Sequence, residues 1–316
     1  MIKLEDIKKA IEKNKKKIGI REIKSLKVSR IGMGENNLNF LVSVKGEKFV
    51  FRVALRKFIE KNMEKEFNAL KDIPKGFGPE PVYFDKTKKI IPKYYSVLRY
   101  IEGKHPKKWG KKELRMHAEK LADLHKDRKR YWTWKGRKQT AKFDIYKLFL
   151  EEVKGYKKDS PEIFDSEVNE LIAKVKKHLK EKNHLFTALK RFSRVHKDPC
   201  ITNILFTDKG VRYIDWEWTG YWDNALDVAM LFDTVYAQPP WKIKLNGKRL
   251  DFYLNSYLKK MKDKTLRERV LAWAVYFRGT DIMFFKWKVM NYEKCDLPKK
   301  KYAEDYKKVA DSIRKL

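Results

Sequence analysis

The residues best suited to chemistry concentrate in one segment, VHKDPCITNILFTDKGVRYIDWEW at 195–218. NILFT (203–207) and VRYID (211–215) read as strands, and Asp208-Lys209-Gly210 supplies a three-residue turn with glycine in its last place. A ribbon centred on Lys209 sets Thr207 opposite Val211, Leu205 opposite Tyr213 and Asn203 opposite Asp215. Directly opposed side chains have Cβ atoms about 4.5–5.5 Å apart, so an amide oxygen and a carboxylate meet at the open end of an apolar ribbon. Two hard oxygen donors there suit Mg²⁺, which takes one or two protein oxygens and fills its octahedron with water and phosphate. Asp198 lies five residues before Asn203, restrained by Pro199, where a carboxylate can accept a hydroxyl proton and orient the attacking oxygen. His196 suits holding that loop by hydrogen bonds. An ordinary hairpin with polar ends is the alternative, but the order His-x-Asp-x₄-Asn, hairpin, Asp argues for chemistry.

His196-Lys197-Asp198-Pro199-Cys200-Ile201-Thr202-Asn203, followed by Ile214-Asp215-Trp216-Glu217-Trp218, resembles the signature of the aminoglycoside phosphotransferase and choline kinase superfamily. The stretch IDWEWTGYWDNALDVAM (214–230), with Gly220-Tyr221 and Asp227-x-Ala229, is most similar to the choline kinase-like branch. Ordinary protein kinases carry Asp-Phe-Gly where this chain has Asp-Trp-Glu. The resemblance implies ATP and Mg²⁺ as cofactors, Asp198 as catalytic base, Asn203 and Asp215 as metal ligands, and His196, Asp227 and His125 as structural support. It also implies a protein-kinase-like fold of class α+β, bilobal, with a small five-stranded antiparallel N-terminal lobe and a large helical C-terminal lobe holding the hairpin.

Nucleotide-binding parts must then lie upstream. Gly32-Met33-Gly34-Glu35-Asn36-Asn37 sits between two strands, and its glycines let backbone N–H groups approach phosphate oxygens, although glycine and asparagine also make plain turns. It resembles the family's nucleotide loop, with Gly34 and Asn37 at matching places. In KFVFRVA (48–54), alternation sends Val50, Arg52 and Ala54 to one face and Phe49, Phe51 and Val53 to the other. A half-buried cation between Val50 and Ala54 needs an anion, and Glu66, on the apolar edge of its helix, is the expected partner. Arg52 occupies the place of the usual nucleotide-binding lysine. Ser96 to Gly103 resembles the hinge, so Leu98 and Tyr100 are expected beside the adenine.

The acceptor is open on sequence alone. Trp216, Trp218 and Trp222 around Glu217 suit an ammonium group, and Trp241 lies further on. That favours a small amino alcohol, aminoglycoside or sugar-like hydroxyl. Against a cationic acceptor, residues 104–138 carry 14 Lys or Arg against 4 Asp or Glu, with Trp109, Tyr131, Trp132 and Trp134 interleaved. Such a run suits RNA, and a tRNA kinase of the same chemistry, or a nucleic-acid-binding pseudokinase, is the alternative.

The elements that position these residues divide the chain into a first lobe at 1–98 (a helix over 1–18, then sheet), a hinge at 98–103, and a helical lobe over 104–316. LVSV (41–44) and KFVF (48–51) flank a tight turn, and residues 62–73 read as a helix ending at Pro74. Across 316 residues, 42% are hydrophobic and 14% aromatic, which excludes global disorder. No stretch approaches the roughly 18 apolar residues of a membrane span. The N-terminus lacks a continuous apolar leader segment, and Cys200 and Cys295 cannot make a disulfide framework, so a cytoplasmic protein is expected. A net charge of +34 favours an anionic partner.

Overall fold

The structure, a computed structural model, describes residues 2–33, 37–106, 108–232, 247–294 and 299–316. Along the chain run α1 (Leu4–Ile18), β1 (Lys27–Met33), β2 (Asn37–Val44), β3 (Glu47–Ala54), α2 (Lys57–Asp72), β4 (Pro81–Asp85) and β5 (Tyr95–Arg99). They are followed by α3 (Lys111–Leu124), β6 (Arg128–Lys129), β7 (Trp132–Trp134), β8 (Arg137–Gln139), α4 (Ile145–Asp159), α5 (Ser166–Lys182), α6 (His184–Thr187) and β9 (Phe192–Val195). The hairpin β10 (Ile204–Thr207) and β11 (Gly210–Tyr213) comes next. Then come β12 (Gly220–Trp222), α7 (Ala225–Phe232), α8 (Gly247–Leu258), α9 (Leu266–Met290) and α10 (Lys299–Arg314). Two compact units result: residues 1–106 with 202–219, and residues 107–201 with 220–316.

The first unit is built on an antiparallel sheet in the order β1-β2-β3-β5-β4. The alternation read in β3 fixes its two faces. Phe49, Phe51 and Val53 are wholly buried against Ile7, Ile11 and Ile18 of α1, whose apolar residues recur at helical spacing. Ala54 on the other face packs against Ile59 and Met63 of α2. Gly19, at φ 81°, ends α1 by donating its N–H to Lys15 and Lys16 carbonyls, a left-handed cap that suits glycine. Asn14 of α1 donates to Tyr95 Oη at 3.1 Å and accepts from Tyr83 Oη at 2.9 Å, so the helix is pinned by a polar network as well as by apolar burial.

The hairpin joins this first unit although helical sequence surrounds it. Lys104 and Phe206 exchange both backbone hydrogen bonds at 2.9 Å, and Tyr213 N–H donates to Phe77 O at 2.7 Å. Gly103 permits that approach, since a Cβ there would stand 3.1 Å from Leu205 Cβ and Thr207 Cγ2.

In the second unit, β12-β9-β6 form a small antiparallel sheet and β7-β8 a separate hairpin. α9 packs against α5, α7 and α10, and α3 against α8. Its centre holds a buried ion-pair network. Arg269, 1% exposed, meets Asp223 at 3.1 Å and Asp263 at 2.7 Å, and Trp273 Nε1 donates to Asp223 Oδ2 at 2.8 Å. Burial disfavours the guanidinium charge, but the two carboxylates more than restore it and raise its pKa. Removing one member of such a network leaves an uncompensated buried charge. Arg269→Leu is therefore expected to lower the unfolding free energy by about 3 kcal/mol, read from a urea midpoint. A loss below about 1 kcal/mol would show that Asp223 finds other partners.

Candidate active site

Within the first unit, a cavity of about 500 Å³ opens on the Arg52 face of the sheet. Val50, Arg52, Leu98 and Tyr100 line it, as do Asn203 and Asp215, so six of the expected residues share one space. Cross-strand pairing brings the wall together: Arg52 stands opposite Asn39 on β2 and Ser96 on β5, and Val50 opposite Leu98. Gly32 lies in β1, and Asn37 is buried at the start of β2, paired with Ala54. Gly34 and Trp241 fall outside the described residues.

Arg52 Nη1 meets Glu66 Oε1 at 2.6 Å, with the side chains 12% and 4% exposed. Its other nitrogen lies 3.7 Å from Asp215 Oδ1. Burial alone would lower the Arg52 pKa, but Glu66 and Asp215 outweigh it and hold the group charged. Burial pushes the Glu66 carboxyl up and Arg52 pulls it back, while the Trp216 N–H also donates to it at 3.2 Å. Glu217 is pushed up to about 7, first by burial and then by Asp215 and Glu66, with Arg52 opposing. Three carboxylates thus gather near one guanidinium, an acidic spot in a chain of net charge +34.

The hairpin's register differs from the expected one. Ile204 pairs with Tyr213 and Thr207 with Gly210, leaving only Asp208-Lys209 as the loop. The Thr207 hydroxyl accepts from Lys209 N–H at 3.1 Å and donates to Gly210 O at 2.7 Å, so this side chain closes the turn and draws Gly210 into the strand. Asn203, at the end of a 3₁₀ turn (Ile201–Asn203), accordingly faces Ile214, whose N–H donates to Asn203 O at 2.9 Å. Asp215 falls one residue beyond the ribbon at φ 66°, a left-handed conformation that aspartate tolerates better than most. This kink, in place of direct opposition, is how both side chains reach the cavity.

The donor set fits a hard divalent cation. Among the described residues no group of three or more His, Cys, Asp or Glu could hold a metal. Asn203 and Asp215 alone match Mg²⁺ carried in with phosphate, which needs few protein oxygens. Asn39, missed in the sequence although it sits two residues after Asn37 on the same strand face, lines the same cavity with a buried Oδ1 that has no hydrogen-bond partner among the described residues. An unsatisfied acceptor of this kind is suited to a ligand's donor.

In the second unit, Asp198 sits in a clamped loop. Asp227, wholly buried, accepts from the N–H groups of His196 at 2.7 Å and Lys197 at 2.8 Å, and Asp198 N–H donates to His196 Nδ1 at 3.2 Å. His125 places Nε2 3.1 Å from Asp227 and Nδ1 2.6 Å from Tyr257 Oη. Lys197, at φ 70°, lays its ammonium 3.6 Å from the centre of the Trp222 ring. Burial lowers its pKa to about 8 against the pull of Asp227 and Glu152.

The expected aromatic cage is corrected by burial. Trp216 is wholly inaccessible, with Nε1 donating to Tyr213 O at 3.0 Å. Trp222 is 4% exposed among Trp132, Phe143 and Trp273, and its open face is taken by Lys197. Trp218, 53% exposed, is the accessible ring of the three. A separate pocket of about 580 Å³ in the second unit, lined by Glu152, Tyr156, Asp159, Phe284 and Trp287, had no signal beyond aromatics on a long helix.

No curated protein matches the chain. The model of the phosphotransferase enzyme family matches residues 27–263. Among solved structures, choline kinase LicA from Streptococcus pneumoniae superposes with TM-score 0.64 at 17% identity, covering 98% of this chain and 99% of that one. A thermostable mutant of aminoglycoside phosphotransferase APH(4)-Ia, in ternary complex with AMP-PNP and hygromycin B, gives 0.64 at 14% identity, covering 97% and 96%. A putative fructosamine-3-kinase from Haemophilus somnus 129PT gives 0.60 at 16%, covering 94% of each. Such likenesses fix the α+β, kinase-like fold, and the matched family model spans the sheet, the cavity wall and the Asp198 loop: the chain belongs to the phosphotransferase enzyme family and is a kinase.

Proposed function

We propose that this chain is an ATP- and Mg²⁺-dependent phosphotransferase that moves the γ-phosphate to a hydroxyl of a small molecule. One observation supports the reading most: a single cavity wall carries a buried guanidinium suited to phosphate oxygens and two hard oxygen donors suited to a metal. In this reading Val50 and Leu98 flank the adenine, with the backbone near Tyr100 pairing to it. Arg52, fixed by Glu66, binds phosphate oxygens, and Gly32 and Asn37, with Gly34 between them in sequence, are the candidate phosphate-loop residues. Asn203 and Asp215 hold the Mg²⁺, which when bound neutralises charge on the phosphates. Asp198 takes the proton of the acceptor hydroxyl and aligns its oxygen for in-line attack. The new P–O bond forms as the bond to the β-phosphate oxygen breaks, and ADP leaves. His196 and Asp227 keep Asp198 in place through backbone hydrogen bonds.

For the acceptor, the pocket of Glu152, Tyr156, Asp159, Phe284 and Trp287 suits a hydroxyl compound that also bears an amine, with rings and carboxylates for the cation. It adjoins the Asp198 loop electrostatically, since the Lys197 charge acts on Glu152, whose carboxyl burial otherwise pushes up. The named ligands and activities of the similar structures, hygromycin B and choline kinase among them, are of this chemical kind.

Asp198→Asn is expected to cut turnover at least 100-fold, the usual size of a general-base contribution, while calorimetry finds Mg·AMP-PNP bound within about threefold of normal. Asp215→Asn is expected to weaken that same binding at least tenfold. The assay is ADP release with choline, ethanolamine, aminoglycosides and sugars as acceptors. If Asp198→Asn loses nucleotide affinity as severely as Asp215→Asn, Asp198 is structural.

The Glu217 carboxyl gives a pH signature. Its folded pKa of about 7 exceeds the ordinary value of 4.5, so the folded state holds the proton more tightly. Stability from this group is therefore full below the ordinary value and is lost as pH rises through about 7. Glu217→Gln, which cannot ionise, is expected to raise Tm over the parent at pH 8 and to match it near pH 4.5. A Tm gain that is the same at both pH values would dissociate Glu217 from the acidic cluster.

A further inference from the structure

The reaction above leaves one feature unused, the basic run at 128–142, which holds seven Lys or Arg and no Asp or Glu. The fold gathers it with cations from elsewhere. Phe192 of β9 pairs with Lys129 of β6, so Lys190 and Arg191, which lead into β9, lie beside Arg130. Arg130, Arg137, Lys138, Lys142, Lys190 and Arg191 are exposed, and none has a carboxylate within 4.0 Å among the described residues. Lysines on α10 behave differently: Lys301 and Lys308 both pair with Asp305. Half-buried Tyr131 and Trp134 lie between the free cations, with Lys138 Nζ 4.9 Å from the Tyr131 ring centre.

This surface is rigidly mounted. Tyr221 N–H donates to Thr133 Oγ1 at 3.0 Å, and Gly220 has no room for a Cβ, which would stand 2.3 Å from that oxygen. Trp134 packs on Trp222 with centroids 5.7 Å apart, and Trp222 carries Lys197, the residue before Asp198. One aromatic layer thus separates the basic face from the Asp198 loop within the second unit.

We propose that this face docks single-stranded RNA, with phosphodiesters on Arg130, Arg137, Lys138 and Arg191 and bases against the accessible parts of Tyr131 and Trp134. Unpaired cations alternating with rings match a strand that alternates phosphates and flat bases. An anionic membrane fits less well. Among the described residues, none of the exposed large apolar side chains of the second unit, such as Leu271 and Phe284, lies in the 128–142 run or in the segment leading into β9, and an interfacial anchor needs apolar groups to bury. The proposal goes beyond the phosphotransferase reading and does not depend on it.

The test is fluorescence anisotropy of a fluorescein-labelled 20-mer of oligouridine with the full chain, from 50 to 200 mM KCl. R130E/R137E/K138E is expected to weaken binding at least tenfold at 50 mM and to flatten the log–log salt slope by about 2, at about 0.7 per lost phosphate contact. R130Q/R137Q/K138Q is expected to flatten the slope equally with a smaller loss of affinity. K177E/K180E/K307E makes the same charge change at exposed helical lysines and is expected to stay within twofold of the parent. Equal losses in the two Glu triples would mean bulk charge alone, and absence of binding by the parent at 50 mM would equally overturn the proposal. Phosphatidylserine vesicles that sediment the parent but not R130E/R137E/K138E, with RNA bound equally by both, would reassign the face to membranes.

Discussion

A guanidinium buried against an apolar sheet is unstable unless anions compensate it, and Arg52 is such a group, 12% exposed between Val50 and Ala54. The compensation organises the first unit. Glu66 draws α2 toward β3, and the same carboxylate oxygen accepts the Trp216 N–H, tying the segment after the β10–β11 hairpin to that helix. Asp215 completes the surround at 3.7 Å, too long for a hydrogen bond, so its carboxylate attracts Arg52 without being consumed by it. Strand, helix and hairpin end are therefore held around one charge, and the remaining negative charge is directed at the cavity. In the proposed reaction that residual charge receives the metal while the guanidinium receives phosphate.

The second unit solves a related problem differently. In the proposed reaction the Asp198 carboxylate serves the acceptor hydroxyl, so the loop that carries it is best fixed through its backbone. Asp227 therefore binds the backbone of His196 and Lys197, and the His196 ring takes the Asp198 N–H. Lys197 is held at φ 70°, an uncommon conformation for lysine, and its ammonium rests on Trp222. In the proposed reading, a cation already covering Trp222 leaves an acceptor amine to find other rings. Tyr156, Phe284 and Trp287, in a pocket with Glu152 and Asp159, supply them.

Alternation made much of this legible. The two faces of β3, the five strands and the Arg52–Glu66 pair follow from period-two patterning and motif order, whereas Asn203 and Asp215 reach one cavity through a kink at Asp215 that the pattern does not give. What escaped was set by single side chains or distant partners. The hairpin register turned on the Thr207 hydroxyl, which no strand pattern encodes. The hairpin's place in the first unit depends on Lys104 pairing with Phe206, about a hundred residues on. Burial of Trp216 and Trp222 follows from packing partners elsewhere in each unit, and aromatic content cannot tell a cage from a core. Arg269 and Asp223, 46 residues apart, give no local sign of their pairing.

The charge balance acquires meaning once placed. A field of +34 concentrates any polyanion near the protein, nucleotide included, but does not by itself distinguish free ATP from its metal complex. In the proposed reaction the carboxylates of Glu66, Asp215 and Glu217 beside Arg52 make that distinction locally, because they disfavour bare phosphate and favour phosphate that a cation accompanies. In that reading, long-range attraction and short-range selection come from opposite signs of charge.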